Sequence, residues 1–378
     1  MTKPARPATV PKTKATTRTG ATKPKVTKAA QPKVTKTAQP DAAKPGTRKS
    51  VAMKPIRIGT LSLTGAGTAK GMLKTAELPN GYPIEIPVLA VRGHQAGPTM
   101  WLHGCVHGNE YCGAYILHSF MRSLDPATLK GTVIALPVLS LSGFLRHQRM
   151  SPFEGFHGGD LNRCFPGDPE GTLTEQMAYQ IYRHLKEHAD YLVDMHTAVT
   201  PETRWTLFAP PSGPVGRKAE AMSRAFGFVH TLPTPLSILG GSSLIVAAKA
   251  GIPGMIVEAG GFDAGFSAET VADGAERLRN VLRKIGMLPG AVTDYGKMTH
   301  FSNFAWVKST RGGLFKRAVK CGDRLKKGQI IGRYYDVFGD LLEVKKSPHA
   351  GIVLAVNGGP VIANGDILVH IGLDPRVV

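Results

Sequence analysis

The sequence predicts an α/β protein: a mostly parallel sheet with helices on both faces, a small all-β module after it, and a disordered basic tail before it. Three observations support this. Apolar strand-like runs alternate with helical patterns from about Ile56 to Leu288, helical periodicity stops past about Asp294, and residues 1–50 hold almost no large apolar side chain.

The tail explains much of the charge. The 378 residues carry a formal +20, but residues 1–50 contain 13 Lys/Arg and one Asp, which is +12 and leaves +8 for the rest. Lys, Pro, Ala and Thr dominate there, and PKVTKAAQPKVTKTAQP nearly repeats itself. Such a segment cannot bury enough apolar surface to offset its chain entropy, so disorder is expected. Two readings stand side by side: weak contact with nucleic acid or another polyanion, and a merely solvated tail. The tail lacks the apolar core of a secretory signal. Four cysteines without a framework spacing fit a reducing cytoplasm. No run of eighteen apolar residues occurs, so no membrane span is expected.

The elements then follow in order. IEIPVLAVRG (84–93) and PTMWLHG (98–104) read as strands ended by glycine. Residues 110–124 have helical spacing, and GTVIALPVL (131–139) is again strand-like. Thr172-Leu-Thr-Glu175 has the form of a capping box opening a helix to about Ala189. YLVDMHT (191–197) and GMIVEAGG (254–261) are buried strands, and residues 268–288 form a long amphipathic helix. Past Asp294, short β runs are punctuated by turns such as Gly322-Asp323 and Gly365-Asp366. The expected division is a tail at 1–50, a catalytic domain at 51–293 and a β module at 294–378.

The chemistry gathers where strands end, the usual place for ligands in such sheets. WLHGCVHGNEYCGA (101–114) offers two histidines, two cysteines and a glutamate. His107-x-x-Glu110 on a turn can converge on one ion, and His196 at the end of YLVDMHT can complete a His₂Glu set. That set suits catalytic Zn²⁺ with a position left for water. His103 competes as a ligand, but is better read as a hydrogen-bonded core or supporting histidine. Cys105 and Cys112 match no zinc-cysteine spacing and read as small buried residues. In DLNRCFPG (160–167), Asp160 can accept a bond from a ligand histidine or from backbone, and Asn162 and Arg163 offer donors for a carboxylate. Glu258 is a further buried acid.

WLHGCVHGNE, DLNRCFPG, VDMHT and IVEAGG, in this order, closely resemble the succinylglutamate desuccinylase/aspartoacylase family of zinc deacylases, with a zinc carboxypeptidase-like fold. The resemblance covers about residues 55–375. It implies one Zn²⁺ per chain held by His107, Glu110 and His196, with Glu258 as general base and Asn162 and Arg163 on the substrate carboxylate. It also implies an arginine that polarises the scissile carbonyl, a role for which Arg149 fits better than Arg146. The expected reaction is hydrolysis of a small N-acyl amino acid; acetyl, succinyl and longer acyl groups all remain open. The β module resembles the barrel-sandwich of biotinyl and lipoyl carriers, and the family resemblance implies that it covers the catalytic face and restricts access to small substrates. Counting back from Ser347-Pro348 reaches Phe338-Gly339-Asp340, with no lysine there, so no attached cofactor is expected. The rival readings are a carboxypeptidase-like metallopeptidase of the same fold and a polyanion-binding protein acting through its tail. Oligomeric state is left open.

Overall fold

The computed structural model describes residues 54–154, 159–198, 202–263 and 265–378, so the expectations for residues 1–50 lie outside it. Residues 51–378 group as one compact unit. A short hairpin, β1 (Ile56–Ile58) and β2 (Leu61–Leu63), leads into β3 (Gly67–Glu77), β4 (Pro83–Arg92) and β5 (Gln95–Gly104). Then come α1 (Tyr111–Arg122), β6 (Lys130–Leu136), α2 (Leu141–Leu145), α3 (Leu173–His188), β7 (Tyr191–His196) and β8 (Thr203–Phe208). After these follow α4 (Pro214–Phe226), β9 (His230–Pro233), α5 (Ser243–Lys249), β10 (Gly254–Gly260) and α6 (Ala268–Lys284).

With β11 (Thr299–His300) and a last strand β20 (Arg376–Val377), eight of these strands form a ten-stranded sheet in the order β20-β11-β9-β8-β10-β7-β5-β6-β4-β3. The sheet is mixed. The centre, β10-β7-β5-β6, is parallel, whereas β3-β4, β4-β6, β8-β10 and β11-β20 pair antiparallel. Its central strands alternate two apolar faces, as strands covered on both sides must. Met255, Val257 and Ala259 of β10 face a core shared with α1, α4 and α6, and Ile256 faces the opposite side. There α3 supplies Met177, Ala178, Ile181 and Leu185 to a second core with the β1–β2 hairpin.

The helix α3 starts where its sequence dictates. Thr172 accepts from the Glu175 N–H, and the Glu175 side chain returns to the Thr172 N–H at 2.8 Å, closing the capping box.

The chain after α6 builds two four-stranded antiparallel sheets. One contains β12 (Asn303–Lys308), β14 (Arg324–Leu325), β17 (Gly351–Val356) and β19 (Ile367–Leu373). The other contains β13 (Gly313–Arg317), β15 (Ile330–Tyr335), β16 (Leu341–Lys346) and β18 (Val361–Ile362). Their inner faces meet over Val307, Phe315, Tyr334, Val353 and Ile371. Because β11 and β20 both belong to the large sheet, this β unit is fastened to it at both ends. The β15–β16 hairpin tip holds Val337 and Phe338 out in solvent. Among the described residues no helix is long and apolar enough to cross a membrane, and Cys105, Cys112 and Cys164 are free thiols.

Replacing Thr172 with Ala removes one half of the capping box and is expected to cost about 1 kcal/mol of stability, with the m-value unchanged, in urea unfolding followed by circular dichroism.

Candidate active site

Strand β5 ends at Gly104, and the loop into α1 must turn sharply to present its side chains. Cys105 takes a left-handed backbone, φ 44°, which is costly for a residue with a side chain and persists only where the surroundings hold it. Gly108 passes so close to the next segment that a Cβ there would meet the Gly143 carbonyl carbon at 2.1 Å and the Phe144 nitrogen at 2.2 Å. Its N–H donates to the Arg149 carbonyl at 3.0 Å, tying the loop to the segment that follows α2.

This loop aims His107 and Glu110 inward. His196, the last residue of β7, meets them. One donor atom from each of the three lies within 4.8 Å of the others, and all three residues are buried. His107 Nδ1 stands 2.7 Å from Glu110 Oε1, and His196 Nδ1 stands 3.0 Å from Glu110 Oε2. The outer ring nitrogens face other carboxylates: His107 Nε2 is 3.0 Å from Asp160 Oδ1, and His196 Nε2 is 3.2 Å from Asp194 Oδ2. Asp160 also accepts the Asn162 N–H at 3.0 Å, and Asp194 accepts from the Ser243 hydroxyl.

That arrangement tests the site for a cation. The Asp160 carboxylate holds the His107 proton at Nε2, and the Asp194 charge 3.2 Å from His196 Nε2 favours the same tautomer there, which turns both Nδ1 lone pairs toward the Glu110 carboxylate. Acceptors facing one another in a buried space need positive charge between them. A divalent cation satisfies all three at once. The electrostatics agree. Burial pushes the Glu110 carboxyl up, yet His107 and His196 beside it hold it well below the usual range. Burial lowers His196, but Asp194 and Glu110 raise it well above an ordinary histidine. The residues present fit a His₂Glu metal site.

The other predicted residues gather at the same cavity, about 920 Å³ in volume. Glu258 pairs in register with His196 on one side and Trp205 on the other, so the three form a lateral row across β7, β10 and β8. Burial raises the Glu258 carboxyl to about 7, against the opposing pull of His196. Arg149 Nη1 donates to Glu110 Oε1 at 3.0 Å. Arg149 lines the cavity and Arg146 does not. Asn162 is buried; its Oδ1 accepts the Ser243 N–H at 3.3 Å, leaving its amide NH₂ for another partner. Arg163 is exposed at the cavity edge.

His103 stays out of the cluster. It is fully buried, accepts from Trp101 Nε1 at 2.7 Å and stacks on Phe165. Cys105 and Cys112 are fully buried, and Cys105 Sγ donates to the Glu110 carbonyl.

Two contributions went unread in the sequence. Asp194 lies two residues before His196 and therefore on the same strand face, a relation the period-2 rule makes visible in VDMHT. The second is which side chains form the far cavity wall: Phe304, Trp306 and His370 from the C-terminal β unit meet Trp205 there. Trp205 and His370 sit edge to face at 5.1 Å, and burial lowers His370 to about 3. No local motif announces that wall.

Comparison with known proteins narrows the chemistry. Residues 96–285 match the family model described as the succinylglutamate desuccinylase/aspartoacylase catalytic domain. The chain is 32% identical over 269 residues to N-alpha-acetyl-L-2,4-diaminobutyric acid deacetylase of Halomonas elongata, a match spanning 67% of this chain and 75% of that protein. A succinylglutamate desuccinylase/aspartoacylase structure from Rhodobacter sphaeroides superposes with a TM-score of 0.70 at 27% identity, covering 82% of this chain and 96% of that one. The product-bound ectoine utilization protein EutE (DoeB) of Ruegeria pomeroyi shares the fold, with a TM-score of 0.73 at 24% identity over 86% of this chain and 100% of that one.

Asp160→Asn keeps the shape but weakens the hold on His107 Nε2. Affinity for a divalent cation is expected to fall about 10- to 100-fold in competition with a chromogenic chelator.

Proposed function

The chain belongs to the succinylglutamate desuccinylase/aspartoacylase family, and from that premise we propose that its cavity hydrolyses the amide bond of a small N-acyl amino acid, with one Zn²⁺ held by His107, Glu110 and His196. The observation that carries this reading is the buried three-donor cluster with Glu258 one strand away in register. In this reading residues 51–293 are the catalytic part and 294–378 a β module that walls the cavity. The free thiols of Cys105, Cys112 and Cys164 are consistent with a cytoplasmic setting.

Bound at the cluster, Zn²⁺ supplies Lewis acidity, lowering the pKa of water toward ~7 and polarising a carbonyl. The protein's own groups do the rest. Glu258 takes the proton of the attacking water and delivers it to the leaving amine nitrogen, so it must start ionised. Arg149 donates toward the oxygen on which charge develops. The Asn162 amide and the Arg163 guanidinium orient the carboxylate of the amino acid. Asp160 and Asp194 fix the histidine rings. Phe304 and Trp306 close the far side of the cavity, which favours a small substrate over a peptide running through an open cleft.

The test is amine release from a panel of N-acetyl and N-succinyl amino acids, with zinc-loaded and chelator-treated protein. N-acetyl-diaminobutyrate heads the panel because the Halomonas relative is a deacetylase. Metal-dependent release from one or a few members supports the reading; silence from zinc-loaded protein overturns it and sends the search to peptides.

Glu258→Gln is expected to lower kcat by about 10²- to 10⁴-fold with zinc retained. In the wild type, kcat/KM is expected to fall about tenfold per pH unit on the acid side as Glu258 takes up a proton. Its carboxyl lies near 7 through burial, and the added charge of Zn²⁺ moves that limb to lower pH.

A further inference from the structure

Helix α3 carries a second group of ligand-type side chains, away from the cavity. His184, Glu187 and His188 stand at i, i+3 and i+4 on its last turn and so share one face. One donor atom from each lies within 4.8 Å of the others. The segment reads His184-Leu-Lys-Glu-His188. None of the three lines the cavity.

The two imidazole rings stack parallel, with 4° between their planes and 6.1 Å between centroids. His184 is only 7% exposed. His184 Nδ1 and His188 Nε2 are both sealed from solvent without a hydrogen-bond partner, a state buried polar atoms rarely keep. The opposite side of the His188 ring bonds to the backbone of Arg57 in β1, which keeps its proton on Nδ1 and leaves the lone pair on Nε2. Glu187 Oε1 stands 3.9 Å from that Nε2, and the Glu187 side chain is largely exposed. The last turn of a helix also favours positive charge.

We propose that His184 Nδ1, His188 Nε2 and a Glu187 carboxylate oxygen form a second metal site, for a divalent transition-metal ion of the Zn²⁺ class, structural in role. An ion here fastens the end of α3 to the β1–β2 hairpin through His188 and Arg57. Its ligands, two imidazoles and a carboxylate, are those that such ions take. Two cationic neighbours oppose it: buried Arg92, whose charge reaches His188, and Arg183 beside His184. Arg183 Nη2 lies 3.3 Å from His184 Nε2, and ligation through Nδ1 moves the ring proton to that nitrogen. The guanidinium must then turn away, toward Gln180 Oε1, which already accepts from it at 2.9 Å.

The experiment counts Zn²⁺ per untagged full-length chain by native mass spectrometry and elemental analysis. The expected result is two ions in the wild type, one in His107→Ala/Glu110→Ala, and none when His188→Ala is added. A second ion that survives His188→Ala, or a double variant at the first site that binds none, overturns the proposal. Should His188→Ala fail to fold, two exposed positions decide it in the same background. Arg183→Gln is expected to tighten Zn²⁺ binding several-fold and Glu187→Gln to weaken it about tenfold. Equal affinities in the two variants would refute the site.

Discussion

The Glu110 carboxylate is the point on which the site depends. It is 1% exposed, and four groups converge on it: His107 and His196 through Nδ1, the Arg149 guanidinium, and the Thr197 N–H at 3.0 Å. An ionised acid so far from water is tolerated only when surrounding charge and hydrogen bonds replace its hydration. Those groups come from three parts of the chain: the β5–α1 loop, the end of β7 and the segment after α2. Each must arrive in place for the acid to be paired. The fold therefore delivers a three-donor cluster and the solution to a burial problem through one set of contacts.

Around that centre the protein shows a layered division of labour. Carboxylates one step out, Asp160 and Asp194, set which histidine nitrogen is free. Asp160 is itself held by the turn it caps, and Asp194 by Ser243. The parallel centre of the sheet brings His196 and Glu258 into register without any loop between them, a placement more rigid than a loop gives. The polar loops bring Arg149, Asn162 and Arg163 to the cavity, and the C-terminal strands bring the aromatic wall.

Much of this was legible in the sequence because the information was local. Strand ends were marked by Gly104 and by the residue following an apolar run, which located His107, Glu110 and His196. The Thr172–Glu175 box marked the start of α3 to the residue. Glu258 was visible as an acid inside a buried strand. The antiparallel strand β8 and the helix α4 were harder, because Gly213, Pro214 and Gly216 crowd the start of α4 and blur its period. Trp205, Phe304, Trp306 and His370 were not legible at all. Their meeting depends on how the C-terminal β unit docks on the large sheet, a relation between residues up to 165 positions apart (Trp205 to His370) that no spacing rule encodes.

That docking has a consequence for the order in which the protein is made. A nascent chain that has emerged as far as α6 already holds every charged group of the inner cluster, together with Glu258. It lacks β11 and β20, which finish the edge of the large sheet, and the strands that carry Phe304, Trp306 and His370. The apolar faces of Trp205, Leu207 and Ile256, which finally pack against Ile352 and Leu354, stay uncovered until those strands arrive. During synthesis the cluster is thus an open cleft first and a walled chamber last.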